Sequence, residues 1–196
     1  MNWFGSFSKA AASVAVVLSL GVAPASAALD TYDIDASHSA VIFRIQHMKA
    51  GYQYGRFNDF SGTVAFDEAN VGASSVKVEV KTTSVDTHNE KRDDHLRNPD
   101  FLDCAQFPTM TFSSTSVKAA GTDYEVAGNL TLHGVTKPVT VKMTKTGAAA
   151  DPWGGYRMGF EGTLTIKRTD YGMDKKLEGA GDEIRLILAF ECVKKK

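Results

Sequence analysis

Apolar and polar residues alternate at every second position along nearly all of the chain after residue 30, and this pattern restricts the fold more than any other feature. Val76, Val78 and Val80, for example, alternate with Lys77 and Glu79. Successive side chains of a β-strand point to opposite faces, so this spacing predicts strands with one buried face. Eight or nine such segments, separated by turns rich in glycine, asparagine and aspartate, predict an antiparallel β protein.

Strands with one apolar face must bury that face, either in a closed barrel or in a two-layer sandwich. Several of the segments are long, and Gly62, Gly128 and Gly162 interrupt their patterns. Glycine inside a strand marks a bend of a barrel strand or the close approach of another group. We therefore predict an all-β fold and favour a closed antiparallel barrel over the sandwich. A barrel of about eight strands holds either a packed core or one elongated ligand, and the alternation leaves both open.

One segment departs from the alternation. Thr87 and Glu90 have the spacing of a capping box, which predicts a short helix that begins after Thr87 and ends before Pro99. A helix of this length needs support from the barrel. The expected supporting side chains are the apolar Leu96, Phe101 and Leu102 and the charged Arg92, Asp94, His95 and Arg97.

The N-terminal residues have the composition of a targeting segment. Lys9 precedes an apolar run over residues 10–23, and Ala25-Ser26-Ala27 supplies the small residues of a cleavage site. This order predicts a secretory signal peptide over residues 1–27, cleaved after about Ala27, and a domain over residues 28–196. The alternative, an uncleaved anchor, is disfavoured because a bilayer span needs about 20 apolar residues. The product is expected in a bacterial periplasm.

The charge and cysteine content exclude several classes of function. With 22 Lys+Arg against 23 Asp+Glu, the chain lacks the basic excess that nucleic-acid binding requires. The basic tail at residues 194–196 gives at most weak contact with a membrane surface. In an oxidising compartment Cys104 and Cys192 form either a disulfide or two buried thiols, and both remain open. A homodimer is also left open.

No metal, cofactor or catalytic site is expected. His88 and His95 lie seven residues apart on the predicted helix, farther than the spacing at which two ligands on one helix bind zinc. The chain has no Gly-x-Ser-x-Gly sequence, and no cysteine lies beside a histidine. We therefore expect a binding protein, not an enzyme.

Several sequence blocks together resemble the YceI-like family over about residues 29–193. The most specific block is Arg-Asp-Asp-His-Leu-Arg-Asn-Pro-Asp-Phe-Leu-Asp at residues 92–103. The other blocks lie at residues 38–43, 47–48, 55–62, 107–114, 128–136, 168–173 and 181–184. Each block is weak alone, but their order is specific. The resemblance implies an extended antiparallel eight-stranded lipocalin-like barrel with one short helix across it, and an apolar tunnel that holds a polyisoprenoid or another long-chain lipid.

The resemblance favours a ligand cavity over a packed core, so the inward-facing residues become candidate ligand contacts. These candidates are Phe43, Ile45, His47, Phe60, Val64, Val78, Val80, Phe112, Leu130, Leu132, Val141, Met143, Met158, Phe160, Leu164, Leu186, Leu188 and Arg168. The expected function is binding, sequestration or transport of a lipid such as an isoprenoid quinone or a prenyl precursor. The alternatives are an enzyme acting on such a lipid in the same cavity and a solid-core structural or stress-response barrel.

Two charged candidates have competing interpretations. His47 either bonds a ligand oxygen near the tunnel mouth or is satisfied by protein groups. A buried arginine needs a partner, so Arg168 either pairs with Asp170 or Asp94 or meets an anionic headgroup. The segment at residues 52–57, rich in aromatic and basic residues, is interpreted as a loop that either gates the tunnel or covers the barrel end.

Overall fold

A computed structural model describes residue 1 and residues 29–175 and 179–195, so the predicted signal peptide lies, apart from Met1, outside the described residues. The described chain forms eleven strand segments and one α-helix, α1 (Glu90–Arg97). The segments are β1 (Thr31–Ile34), β2 (Ala40–His47), β3 (Gly51–Phe57), β4 (Phe60–Ala65), β5 (Ser75–Lys81), β6 (Val85–Asp86), β7 (Thr109–Ala120), β8 (Asp123–Leu132), β9 (Val135–Ala150), β10 (Tyr156–Lys167) and β11 (Ala180–Lys194).

These segments form a closed barrel of eight antiparallel strands, which confirms the predicted fold. Three of the strands are bent: β1 continues into β2, β3 into β4, and β5 into β6. In each bent pair one segment bonds to one half of a neighbouring strand and the other segment to the other half, as β1 and β2 do along β11. The remaining strands, β7 to β11, each pair with the next in sequence. Pairing of β1 with both β4 and β11 closes the ring.

The barrel has two ends of different construction. One, here called the helix end, carries α1 and the turns after β2, β8 and β10. The other, the far end, carries the turns after β4, β7 and β9, together with the start of β1 and the end of β11. At the helix end β6 pairs only with β3, and β7 begins opposite the last residue of β5. Residues 87–108 cover the gap that this leaves in the wall.

The glycines inside the strands lie where other groups approach closely, as their positions predicted. A Cβ on Gly62 would lie 2.7 Å from the Ile34 side chain and would also meet the backbone of β5. A Cβ on Gly128 would meet the Phe112 ring at 2.6 Å and the backbone of β7. Since strand backbone cannot shift freely, these two positions accept no side chain, and their neighbours pack over them.

The helix lies where the sequence predicted it, but its capping residue is different. Asn89, not Thr87, is the N-cap, and its side chain accepts a hydrogen bond of 3.0 Å from the Arg92 amide. Both residue types cap helices well, so the sequence could not decide between them. Thr87 instead donates to the buried Asp93 carboxylate through its amide at 2.9 Å and its hydroxyl at 2.5 Å.

Only some of the expected charged contacts hold α1 in place. Arg97 donates to the carbonyl oxygens of Thr83 and Val85, each at 3.0 Å, and so ties the helix to the strand at its side. The prediction that Asp94 takes part was wrong. Its side chain is 69% exposed and pairs only with Arg97, within the helix. His95 also contacts residues after the helix and not the barrel, with its ring against Phe101.

One other expectation about local structure was wrong. Residues 52–57 are not a loop but most of β3, with Tyr52 and Tyr54 exposed on its outer face. The turn between β8 and β9 is the tight pair His133–Gly134, and Pro138 lies inside β9 opposite Asn129. Across the described residues, no helix is both long and apolar enough to cross a membrane.

The two cysteines are separate buried thiols, which decides between the two options that the sequence left open. Cys192 lies near the far end, opposite Ile34 of β1. Cys104 follows α1 at the helix end, where its amide donates to the Arg97 carbonyl. Burial raises the pKa of the Cys192 thiol to about 12, so this side chain stays protonated and unreactive.

Candidate functional site

Three adjoining apolar cavities run along the inside of the barrel. The helix-end, central and far-end cavities have volumes of about 90, 70 and 30 Å³. Met110 and Leu186 line both the helix-end and the central cavity. The central and far-end cavities in turn share Val76, Val126 and Met143. The three spaces therefore form one row from α1 to the far end.

The exposed fraction of the inward side chains shows that the interior of the barrel is hollow and not close-packed. Phe112, Leu164 and Leu188 point into the barrel and line the central cavity, yet they are only half-buried. Phe43 and Ile45 behave in the same way in the helix-end cavity. Close-packed cores leave few voids larger than a water molecule. Because the strands enclose these side chains, the surface that they expose is the wall of the cavities.

Most of the candidate ligand contacts from the sequence line this row of cavities. Those that do are Phe43, Ile45, Val64, Val78, Val80, Phe112, Leu130, Leu132, Val141, Met143, Phe160, Leu164, Leu186, Leu188 and Arg168. Three differ. Phe60 is buried in the core but touches none of the cavities, and His47 is exposed at the tip of β2. Met158 lines a separate depression at the far end.

Arg168 does not make the ion pair that its sequence position suggested. Asp94 pairs with Arg97 and Asp170 with Lys137. Among the described residues, the buried Arg168 guanidinium donates to backbone carbonyl oxygens, including that of Lys175 at 3.0 Å. These bonds hold together the connection between β10 and β11 beside the helix-end cavity. The ion-pair prediction failed because backbone carbonyls satisfy this guanidinium, and since every residue has a carbonyl, the sequence does not show which ones accept.

A polar depression at the far end, here called the bowl, was missed from the sequence. It leaves about 570 Å³ for the centre of a water-sized sphere and is lined by Leu29, Asp30, Tyr32, Phe66, Asp67, Glu68, Lys145, Tyr156, Met158 and Lys194. Of the described residues, Phe66 alone lines both the bowl and the far-end cavity. The alternation along β9 contained a signal for the bowl, because Lys145 has the same parity as Val141 and Met143 and therefore lies on the inward face of the strand.

Outside the barrel, a charged cluster joins three elements near the far end. Asp35 accepts from the Ser37 hydroxyl at 2.6 Å, from Arg157 at 2.9 Å and contacts His38 at 2.9 Å. These hydrogen bonds hold the pKa of the Asp35 carboxyl far below its ordinary value. Asp35, His38 and Glu191 lie close enough to share a cation. Arg157, however, already pairs with both carboxylates, so the cluster serves as an ion-pair staple.

Comparison with known proteins identifies this architecture. The YceI-like domain matches residues 32–192, which is most of the chain. The chain belongs to the YceI-like family. Its relatives include a UPF0312 protein of Pseudomonas aeruginosa, which is 49% identical over 162 residues, covering 83% of this chain and 85% of that protein.

Solved structures of YceI-like and related proteins have the same fold. BcnA of Burkholderia cenocepacia superimposes with a TM-score of 0.73 at 27% identity, over 81% of this chain and 98% of that one. A polyisoprenoid binding domain from Saccharophagus degradans gives a TM-score of 0.64 at 18% identity, over 84% of this chain and 98% of its own. The second likeness concerns the fold alone.

The YceI-like sequence block at residues 92–103 has a clear structural role in this chain. It contains most of α1 and the turn after it, and its apolar members Leu96, Phe101 and Leu102 line the helix-end cavity. One of its two buried carboxylates, Asp93, binds the strand-to-helix connection through Thr87. The block therefore closes one end of the barrel.

Proposed function

We propose that this protein binds a polyisoprenoid or another long-chain amphiphilic lipid inside its barrel, and that it sequesters or carries that lipid in the periplasm. An isoprenoid quinone or a prenyl precursor is the kind of ligand meant. The observation that carries the proposal is the row of three apolar cavities along the barrel axis. An elongated, flexible hydrocarbon chain is the ligand that such a row fits.

The energetics of chain burial support this proposal. Each methylene removed from water contributes about 0.8 kcal/mol, so a chain that passes through several cavities needs few specific contacts. Ordering of the chain and of the wall consumes part of this gain. Met110 and Met143 lie where neighbouring cavities meet. Their flexible thioethers can move aside for an irregular chain.

The comparisons agree with a binding role. The domain from Saccharophagus degradans, which shares the fold, is described as polyisoprenoid binding. A signal peptide over residues 1–27 and a periplasmic location belong to the same proposal, because the sequence order of a charged residue, an apolar run and an Ala-x-Ala site supports export.

Native mass spectrometry of protein purified from an exporting host tests the function directly. We expect a co-purifying long-chain lipid, or uptake of an added one, that is released with its mass unchanged. Release of a chemically altered lipid would instead support the alternative of an enzyme using the same cavity. An empty protein that takes up no lipid would refute the proposal and leave a structural barrel.

A further inference from the structure

A tyrosine of the barrel wall brings a hydrogen-bond donor to the bowl at the far end. Tyr32 is 3% exposed and lines the bowl, and its hydroxyl has no hydrogen-bond partner among residues 29–175 and 179–195. Burial and the nearby Asp30 carboxylate raise the pKa of this phenol. It therefore stays protonated and can donate. Because this side chain lines the bowl, its hydroxyl is available to donate to a ligand atom that enters there.

Among the described residues, one side chain forms the boundary between the bowl and the far-end cavity. Phe66 separates the two spaces and packs edge-on against Tyr124 at 5.3 Å and Phe160 at 5.4 Å between ring centroids. A chain whose end lay in the bowl would continue into the far-end cavity once this ring moved. The bowl is thus the polar space that adjoins the row of cavities at the far end.

The charged groups of the bowl are already neutralised by one another. Lys145 donates to Glu68 and Lys194 donates to Asp30, both at 2.7 Å. The remaining carboxylate, Asp67, accepts backbone amides of its own loop. A phosphate would have to break an ion pair and would face the carboxylate that it released.

We propose that the bowl is the headgroup site of the lipid in the barrel, and that it selects a neutral headgroup with an oxygen acceptor, a hydroxyl or a carbonyl, over a phosphate. The Tyr32 hydroxyl donates to that oxygen. This inference rests on the proposed function, since it places the polar end of the same ligand. It divides the ligand class, because it favours prenyl alcohols and quinones over phosphorylated prenyl carriers.

Three ligands with the same branched chain test the headgroup site. Phytol carries a hydroxyl, phytane carries no headgroup and phytyl monophosphate carries a dianion. Affinities are measured by displacement of a fluorescent apolar dye, 1-aminoanthracene, from the purified protein. We expect phytol to bind at least tenfold more tightly than phytyl monophosphate at neutral pH. Equal or tighter binding of the phosphate would overturn the inference.

Two variants test the residues. Tyr32→Phe removes only the hydroxyl, and we expect it to weaken phytol binding by roughly threefold to tenfold, as the loss of one hydrogen bond does, while phytane binding stays unchanged. Tyr54→Phe, on the outer face of β3, is the control and alters neither. Glu68→Gln frees the Lys145 ammonium, so it should strengthen phosphate binding severalfold. Unchanged phytol binding in Tyr32→Phe would refute the site.

The outcomes separate this inference from the function on which it rests. If neither phytol nor phytane binds, the proposed function itself fails. If phytane and phytol bind equally and no variant matters, the chain site stands and the headgroup site falls. If the phosphate binds and Arg168→Met abolishes that binding, the headgroup lies at the helix end, and the inference is wrong.

Discussion

Filling the central cavity should divide the binding site in two. Val141 lines this cavity from β9 and is 4% exposed. Val141→Trp adds an indole ring to a cavity of about 70 Å³. A chain that enters from either end then stops at the ring and loses contact with the cavities beyond it.

The expected loss follows from the number of methylenes excluded. At about 0.8 kcal/mol for each methylene, a chain shortened by four buried methylenes loses about 3 kcal/mol, which is roughly a hundredfold in affinity. The loss must depend on chain length. Alcohols too short to reach the ring should bind the variant as they bind the original protein, whereas longer ones should gain nothing from added carbons.

A homologous series of primary alcohols, from octanol to octadecanol, measures this dependence by calorimetry or dye displacement. Thr140→Trp is the matched control, because it places the same ring on the outer face of the same strand. Overpacking costs about 1–3 kcal/mol of stability, so near-ultraviolet circular dichroism must first show that both variants are folded. A folded Val141→Trp protein whose affinity still rises along the whole series would refute the cavity assignment.

Three further changes have defined outcomes. Asp93→Asn should lower the unfolding free energy measured in urea by about 2–4 kcal/mol, because a buried carboxylate that accepts two hydrogen bonds is lost. Asp94→Asn should lower it by under about 0.5 kcal/mol, because the side chain is exposed. Asp35→Asn should lower the melting temperature at pH 7, and the difference should shrink as the pH falls below about 4, since a carboxylate with a depressed pKa stabilises fully above its unfolded-state pKa and loses that contribution as the pH falls towards its folded-state pKa. Phe66→Ala should speed lipid release roughly thirtyfold in stopped-flow exchange, because two aromatic contacts of about 1 kcal/mol each are lost; an unchanged rate would place the exit elsewhere.

The alternation of residues was sufficient to predict the barrel, but not the bends in its strands. The two-residue period of the sequence assigns each side chain to one face of its strand. The register between β8 and β9 agrees with that assignment, because Val126 lies opposite Val141. The break at residues 82–84 is held by a tertiary contact, the Thr82 hydroxyl bond to the Phe107 carbonyl. No local pattern marks a contact between residues 25 positions apart.

The same limit explains what the sequence missed in the candidate site. Parity placed Phe112 and Leu188 inside the barrel, but it could not say whether they touch each other or surround a space. That depends on the barrel radius and on which neighbours are small. Asp93 and Asp94 are chemically identical, and only the angle at which α1 lies on the barrel buries the first and exposes the second.

The two ends of the barrel are closed by interactions of different strength. At the helix end, Arg97 of α1 donates charge-assisted hydrogen bonds to the carbonyl oxygens of Thr83 and Val85, which break if α1 lifts away, and each such bond contributes about 1.5–3 kcal/mol. At the far end, the row of cavities is separated from the bowl by the Phe66 ring, whose contacts with Tyr124 and Phe160 are worth about 0.5–1.5 kcal/mol each. Rotation of one side chain costs less than displacement of a helix. The far end is therefore the path of lower cost for a long chain, and it is also the end where the proposed headgroup donor, Tyr32, lines the bowl.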